Sequence, residues 1–180
     1  WVRRGELGRL THAEVKPPTI VLSGESLFAG FYLNELLLRL MGRGDPNPPV
    51  YLCYSLCLSD LSNLLDTSRA LRLFELRFLA GLGYGLELEQ DIETGELICP
   101  GGRYRFKPEH GISLEKASVN GPDIFTGRDL ISLREERLDD EESVKAAKRL
   151  LKRVLRVYLG ERPLSTRSVL KDVYRRGLEP

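Results

Sequence analysis

Two helix-patterned runs constrain this chain more than anything else in it. The first is Gly30-Phe-Tyr-Leu-Asn-Glu-Leu-Leu-Leu-Arg-Leu40. The second is Leu71-Arg-Leu-Phe-Glu-Leu-Arg-Phe-Leu-Ala-Gly-Leu-Gly-Tyr84. In the second, Leu71, Phe74, Phe78 and Leu82 recur at i, i+3, i+7 and i+11, the spacing of one buried helical face. The first is apolar nearly all round, which predicts a central, buried helix over 23–41. A chain of 180 residues with 42% apolar residues can enclose such helices in one compact domain without disulfides or a metal.

The rest of the pattern is mixed. Residues 5–22 read as strands interrupted by Pro17-Pro18, too little sheet to stand alone and suited to the end of a preceding β domain. The chain starts at Trp1, and such a domain is expected upstream. A second helix is predicted over 50–65, with Tyr51, Tyr54, Leu58 and Leu61 on its buried stripe. Pro46, Pro48 and Pro49 are expected to keep the chain extended around its start. A third helix follows over 68–82. Over 86–115 the pattern changes to alternation at Leu86, Leu88, Tyr104 and Phe106 with turns at Glu93-Thr-Gly and Cys99-Pro-Gly-Gly, which reads as a small hairpin-like insert. Helices are then expected over 126–133, 142–159 and 164–174. The fold class is mainly α, within α+β.

The sequence offers little to chemistry. Gly81-x-Gly83-x-Gly85 follows a helix and opens none, so it lacks the geometry of a phosphate cradle. Cys53 and Cys57 lie at i, i+4 on a helix and Cys99 stands alone, which suits reduced, inert thiols better than a zinc site. With two histidines and no nucleophile–base pair, and with Glu135/Glu136 and Glu141/Glu142 in solvated charged runs, no enzyme is expected. No cofactor is expected either. No apolar run is long enough to span a membrane, and the odd cysteine count favours a reducing cytoplasm.

Charge is where a functional surface shows. The net charge is only +1, yet 86–142 holds 15 acids against 7 Lys/Arg (net −8), while 145–176 holds 11 Lys/Arg against 2 acids (net +9). On the last long helix, Lys145, Lys148, Arg149, Lys152, Arg153 and Arg156 share one face, and Ala147, Leu150, Leu151, Val154, Leu155 and Tyr158 share the other. No acid interleaves, so i, i+4 pairing does not offset the repulsion. Two readings stay open: a face that holds nucleic-acid phosphates, or a solvated helix face. Arg162, Arg167, Lys171, Arg175 and Arg176 extend the patch. Arg72 beside Glu75 reads either as a weak surface ion pair or as a guanidinium at the lip of an apolar groove, placed to take a carboxylate.

The two opening runs, with Phe125-Thr-Gly-Arg, Ala146-Ala-Lys-Arg and Tyr158-Leu-Gly-x-x-Pro-Leu-x-x-Arg167, resemble the bacterial RecO family of DNA repair and recombination proteins over nearly the whole chain. The resemblance implies that 1–22 is the end of an N-terminal OB-fold. It implies that 23–180 is a helical domain carrying a zinc-ribbon-like insert over 86–115. It implies binding of single- and double-stranded DNA, strand annealing, and recombinase loading on DNA coated with single-stranded-DNA-binding protein. The implied partners are RecR, often RecF, and the acidic, apolar C-terminal tail of the single-strand binder. That tail would dock at Arg72 with Leu71, Phe74 and Glu75. The setting would be the cytoplasm and nucleoid. A helical protein-interaction adaptor with no DNA contact is the alternative. Some family members carry four zinc-ligating cysteines in the insert. Here only Cys99 stands near one such position, and Gln90/Asp91 replace another pair. A zinc-free insert is therefore expected, held by Leu88, Leu97, Tyr104 and Phe106.

Overall fold

The structure, a computed structural model, describes residues 2–4, 7–9, 11–12, 14, 19–63, 65–108, 110–117, 120–160, 162–166 and 169. In chain order the elements are β1 (Val2–Arg4), β2 (Leu7–Arg9), α1 (Gly24–Leu40), α2 (Pro48–Ser62), α3 (Thr67–Gly81), β3 (Arg103–Lys107), β4 (Gly111–Leu114), β5 (Ile124–Thr126), α4 (Gly127–Arg134) and α5 (Glu141–Leu159). The fold class is mixed α+β; the elements named among the described residues are five helices, a β1–β2 pair and a small three-stranded antiparallel sheet. Among the described residues no helix is long and apolar enough to cross a membrane.

Local chemistry sets the helix starts. The Ser26 hydroxyl accepts from the Ser23 N–H at 3.2 Å and donates to the Ser23 carbonyl at 2.8 Å, closing the entry to α1. Asn47 accepts from Val50 N–H at 3.1 Å and donates to the Gly81 carbonyl at 2.8 Å, so one side chain opens α2 and stitches it to the end of α3. Pro48 and Pro49 form the first turn of α2 and do not extend the chain ahead of it. A proline ring presets the helical φ, and its missing N–H is one the first turn leaves unpaired anyway. Asp66, Thr126 and Asp140 accept from the N–H of Arg69, Asp129 and Ser143 at 3.1, 3.2 and 2.8 Å, capping α3, α4 and α5.

The helical core lies among α1, α2, α3 and α5. Leu33 and Leu36 from α1, Val50, Cys53, Cys57 and Leu61 from α2, Phe74, Phe78 and Leu79 from α3, and Leu150, Leu151 and Val154 from α5 are all buried. Phe74 and Phe78 stack with centroids 5.2 Å apart. Two expectations are corrected. First, α1 is not buried all round: Leu38 is 84% and Phe31 52% exposed. Its buried residues Ser26, Ala29, Gly30, Leu33 and Leu36 share one face, so its apolar circumference exceeds the surface that its neighbours cover. Second, of the stripe expected on α2, Leu61 is buried and Tyr54 and Leu58 are half-buried against the core, but Tyr51 faces solvent at 73% exposure, and Val50, Cys53 and Cys57 complete the buried face. The helix starts two residues earlier than expected.

The insert is a three-stranded antiparallel sheet in the order β4-β3-β5. Tyr104 at its centre pairs with Leu114 on one side and Phe125 on the other. The sheet thus extends past the expected boundary at residue 115, to Thr126. Its core is Leu88, Ile98, Tyr104, Phe106, Ile112 and Phe125; Leu97, expected inside, is 66% exposed. A bridge between Gln90 and Leu97 sets the alternation, and period 2 then sends Ile98 inward. At the chain start, β1 and β2 form an antiparallel pair, Val2 opposite Arg9. The described residues among 11–22 are outside strands, so the strand reading over 5–22 ran too far. The helix expected over 164–174 lies mostly outside the described residues.

Candidate nucleic-acid interface

Helix α5 supplies the site. Its inner face buries Ala147, Leu150, Leu151, Val154 and Leu155; Tyr158, expected there, is 40% exposed and stacks on Tyr84 at 4.0 Å. Its outer cations fall into three groups. Lys145 lies 2.8 Å from Glu141 and 3.3 Å from Glu142, so the acids of the first turn do pair with it. This corrects the expectation that no acid offsets the basic face: the first cation of the row is neutralised by the residues three and four before it.

Arg149 and Arg153 are tied to the insert. Arg149 Nη2 donates to the Ile124 carbonyl at 2.9 Å, and its guanidinium carbon sits 4.6 Å from the centroid of the Phe125 ring. Arg153 Nε donates to the Pro122 carbonyl at 3.0 Å. Each arginine spends one donor on a backbone carbonyl and is oriented by it, leaving other N–H groups of its fork.

Lys148, Lys152 and Arg156 form the third group. All three are exposed, and none has a hydrogen bond or ion pair among the described residues. Four residues of helix rise separate them, about 6 Å per step. A groove of about 550 Å³ runs between this row and the insert, with Arg149, Lys152, Arg153 and Arg156 facing Pro108 and Pro122. A second groove, about 250 Å³, continues past the end of α5, where Arg162 joins Lys152 and Arg156. Arg167, Lys171, Arg175 and Arg176 lie outside the described residues.

The second set of expected site residues is placed differently. Arg72 is 5% exposed, Phe74 1% and Glu75 0%; Leu71 is half-buried. Both surface readings of Arg72 are therefore corrected, the weak surface pair and the guanidinium at a lip. Arg72 Nη1 is 2.7 Å from Glu75 Oε2, and the Tyr32 hydroxyl donates to Glu75 Oε1 at 2.5 Å. The three side chains lock α1 to α3 inside the core. Arg72 Nε is buried without a hydrogen-bond partner among the described residues.

Cys53 and Cys57 are buried, as inert thiols would be, whereas Cys99 is exposed. Burial raises Cys53 and pushes Cys57 up to about 12, so both are protonated at neutral pH. Gly81 ends α3, and among the described residues no helix follows until Gly127, so the glycine triplet opens no helix as a phosphate loop would.

Sequence reasoning missed the anchoring of Arg149 and Arg153, and two residues of α1. Glu35 and Arg39 lie one turn apart, a spacing visible in the sequence, but their partners come at 159–166. Nothing local signals a contact across some 120 residues.

The family model described as Recombination protein O C terminal matches residues 22–168. Helical core, small sheet and cation-lined helix thus belong to the class of bacterial DNA repair and recombination proteins. The chain is 40% identical to DNA repair protein RecO of Nitrosococcus oceani over 178 residues, 98% of this chain and 72% of that protein. It is 36% identical to DNA repair protein RecO of Xanthomonas euvesicatoria pv. vesicatoria over 178 residues, 97% of this chain and 74% of that protein. It is 37% identical to DNA repair protein RecO of Methylococcus capsulatus over 172 residues, 96% of this chain and 70% of that protein. The chain belongs to the RecO family.

The zinc site that some members carry does not fit the residues present here. Asp91, at one of the expected ligand positions, accepts from the N–H groups of Glu93, Thr94 and Leu114 at 2.7, 3.1 and 2.7 Å. Cys99 Sγ accepts from the Tyr104 hydroxyl at 3.5 Å, and that hydroxyl accepts from Cys99 N–H at 2.9 Å. Among the described residues no group of three or more His, Cys, Asp or Glu is placed to hold a metal. Hydrogen bonds hold the turns that a metal would otherwise gather.

Proposed function

We propose that the chain is the helical part of a non-enzymatic recombination mediator in DNA repair, and that it binds single- and double-stranded DNA along the outer face of α5. Lys148, Lys152 and Arg156 are the phosphate contacts, Arg149 and Arg153 line the insert side of the groove, and Arg162 extends it. In this reading the chain promotes strand annealing and recombinase loading on DNA coated with single-stranded-DNA-binding protein, acting with RecR and, in some settings, RecF, in the cytoplasm at the nucleoid. Residues 1–22 are read as the end of an N-terminal OB-fold.

The observation that carries the reading is the unpaired row Lys148, Lys152 and Arg156. Like charges stacked at i, i+4 destabilise a helix by a few tenths of a kcal/mol per pair. A polyanion relieves that repulsion and releases its own counterions. Contacts of this kind hold DNA without reading its sequence. Reversing all three charges should weaken DNA binding at least tenfold at low salt and flatten the dependence of log K on log salt. Unchanged affinity and slope would leave the protein-interaction adaptor as the surviving reading.

The partner's C-terminal tail is assigned to the Leu71–Arg72 edge of α3. Leu71 is the half-exposed member of the set and would meet the tail; Arg72, buried against Glu75, supports it from beneath and does not take the carboxylate itself. Phe74 and Glu75 supply the floor and cannot touch a ligand directly. Titration of an acidic, apolar tail peptide should show several-fold weaker binding to Leu71→Ala and to Arg72→Lys, both first checked for native circular dichroism. Equal affinity would remove the assignment.

A further inference from the structure

The chain that leaves α5 is gripped by α1. Gly160 ends the helix at φ +67°, a left-handed turn that glycine takes without strain. Arg39 Nη2 then donates to the Leu159 carbonyl at 2.9 Å and Nη1 to the Pro163 carbonyl at 3.2 Å. One turn earlier on α1, Glu35 accepts from Ser165 N–H at 2.7 Å, from Thr166 N–H at 2.8 Å and from the Thr166 hydroxyl at 2.5 Å. Leu164, between these grips, is buried. Two charged side chains of one helix therefore fix both ends of a short turn, and at its middle stands Arg162, exposed beside Lys152 and Arg156 in the second groove.

We propose that Glu35 and Arg39 are positioning residues for the DNA-binding surface: they hold the 159–166 turn so that Arg162 is in line with Lys152 and Arg156 before DNA arrives. This rests on the reading of α5 as the phosphate-binding face. Ordering a backbone residue costs roughly 1–2 kcal/mol. A turn already fixed by five hydrogen bonds does not draw that cost from the binding step, and its arginine meets the phosphate ready-placed. The role also accounts for an acid next to a cationic row. Through charge alone, Glu35 would only repel a polyanion.

Opposite signs make the proposal testable. If Glu35 acts by charge alone, Glu35→Gln tightens DNA binding. If it positions Arg162, Glu35→Gln weakens binding. Titrating a labelled single-stranded oligonucleotide into the whole chain over a range of salt should show three- to tenfold weaker binding for Glu35→Gln. The slope of log K against log salt should fall by about 0.7, the loss of one phosphate contact on a single strand. Adding Glu35→Gln to Arg162→Ala should cost nothing further, since both remove the same contact. Thr166→Val, which changes no charge and serves if Glu35→Gln unfolds, should shift affinity in the same direction by a smaller factor. Thr166→Ser, which keeps the hydroxyl, should restore it.

Unchanged or tighter binding by Glu35→Gln, or full additivity with Arg162→Ala, overturns the proposal. Lys152→Ala and Arg156→Ala separate the two claims. If they weaken binding while Glu35→Gln does not, only the positioning role falls. If none of these variants matters, the phosphate-binding reading falls and takes this one with it.

Discussion

A methyl group on Gly127 would stand 1.8 Å from the Cys99 carbonyl oxygen and 3.1 Å from the Tyr104 ring. Gly127 N–H also donates to the Gly102 carbonyl at 2.8 Å, pressing the turn at 99–102 against the start of α4. Helix propensity favours alanine over glycine by about 1 kcal/mol in a helix interior. Here the backbone contact reverses that sign, because an overpacked site of this kind costs roughly 1–3 kcal/mol or more. Gly127→Ala should therefore lower stability in urea unfolding, against the propensity expectation. The sequence showed Phe125-Thr-Gly-Arg as a motif but not why glycine stands in it. The clashing atom belongs to a turn 28 positions earlier. The same holds for Arg72 and Glu75. Their i, i+3 spacing was legible, whereas their burial depends on Tyr32 arriving from α1.

Three elements are fastened by carboxylates, and this sets how they respond to acid. Burial would raise Asp91, but the N–H groups of Leu114, Glu93 and Thr94 outweigh it and hold the carboxyl below its usual range. Glu35 is likewise raised by burial and lowered further by the bonds from Thr166 and Ser165. Glu136, in a left-handed backbone conformation at φ +56°, is lowered chiefly by Arg77, which grips it with Nε and Nη2 and joins α3 to the turn after α4. A carboxyl lowered in the folded state binds fewer protons there than when unfolded. Its contribution is thus complete above the ordinary carboxylate value near 4 and is lost as pH falls through the folded value. Thermal unfolding between pH 6 and 3 should show stability flat at first and falling below about pH 4.5. Hydrogen exchange should show the amides of Glu93, Thr94 and Leu114 losing protection as Asp91 protonates. Asp91→Asn should remove that local effect. At this scale the sequence was readable for helix existence, since the apolar periodicity of α1, α3 and α5 stands within each run. It misled by one residue in the insert, at Leu97 and Ile98, because alternation alone does not fix which phase faces in.

Across the whole molecule, the helical core and the basic helix were legible because both are periodic within one element. The long-range fastenings were not: Arg149 to Ile124, Arg153 to Pro122, and Arg39 to Leu159 each join residues whose neighbours in sequence give no hint of the pairing. These fastenings make the basic face a relief with edges and not a smooth stripe. Its unpaired cations from Lys148 to Arg156 span eight residues of helix, about 12 Å. Duplex DNA advances about 3.4 Å per base pair, so the row matches some three to four base pairs, well short of one helical turn. A footprint that short neutralises only a handful of charges. If this row is the phosphate-binding face, its grip by itself is weak, and a firm hold on a long polymer would have to be shared with a second surface.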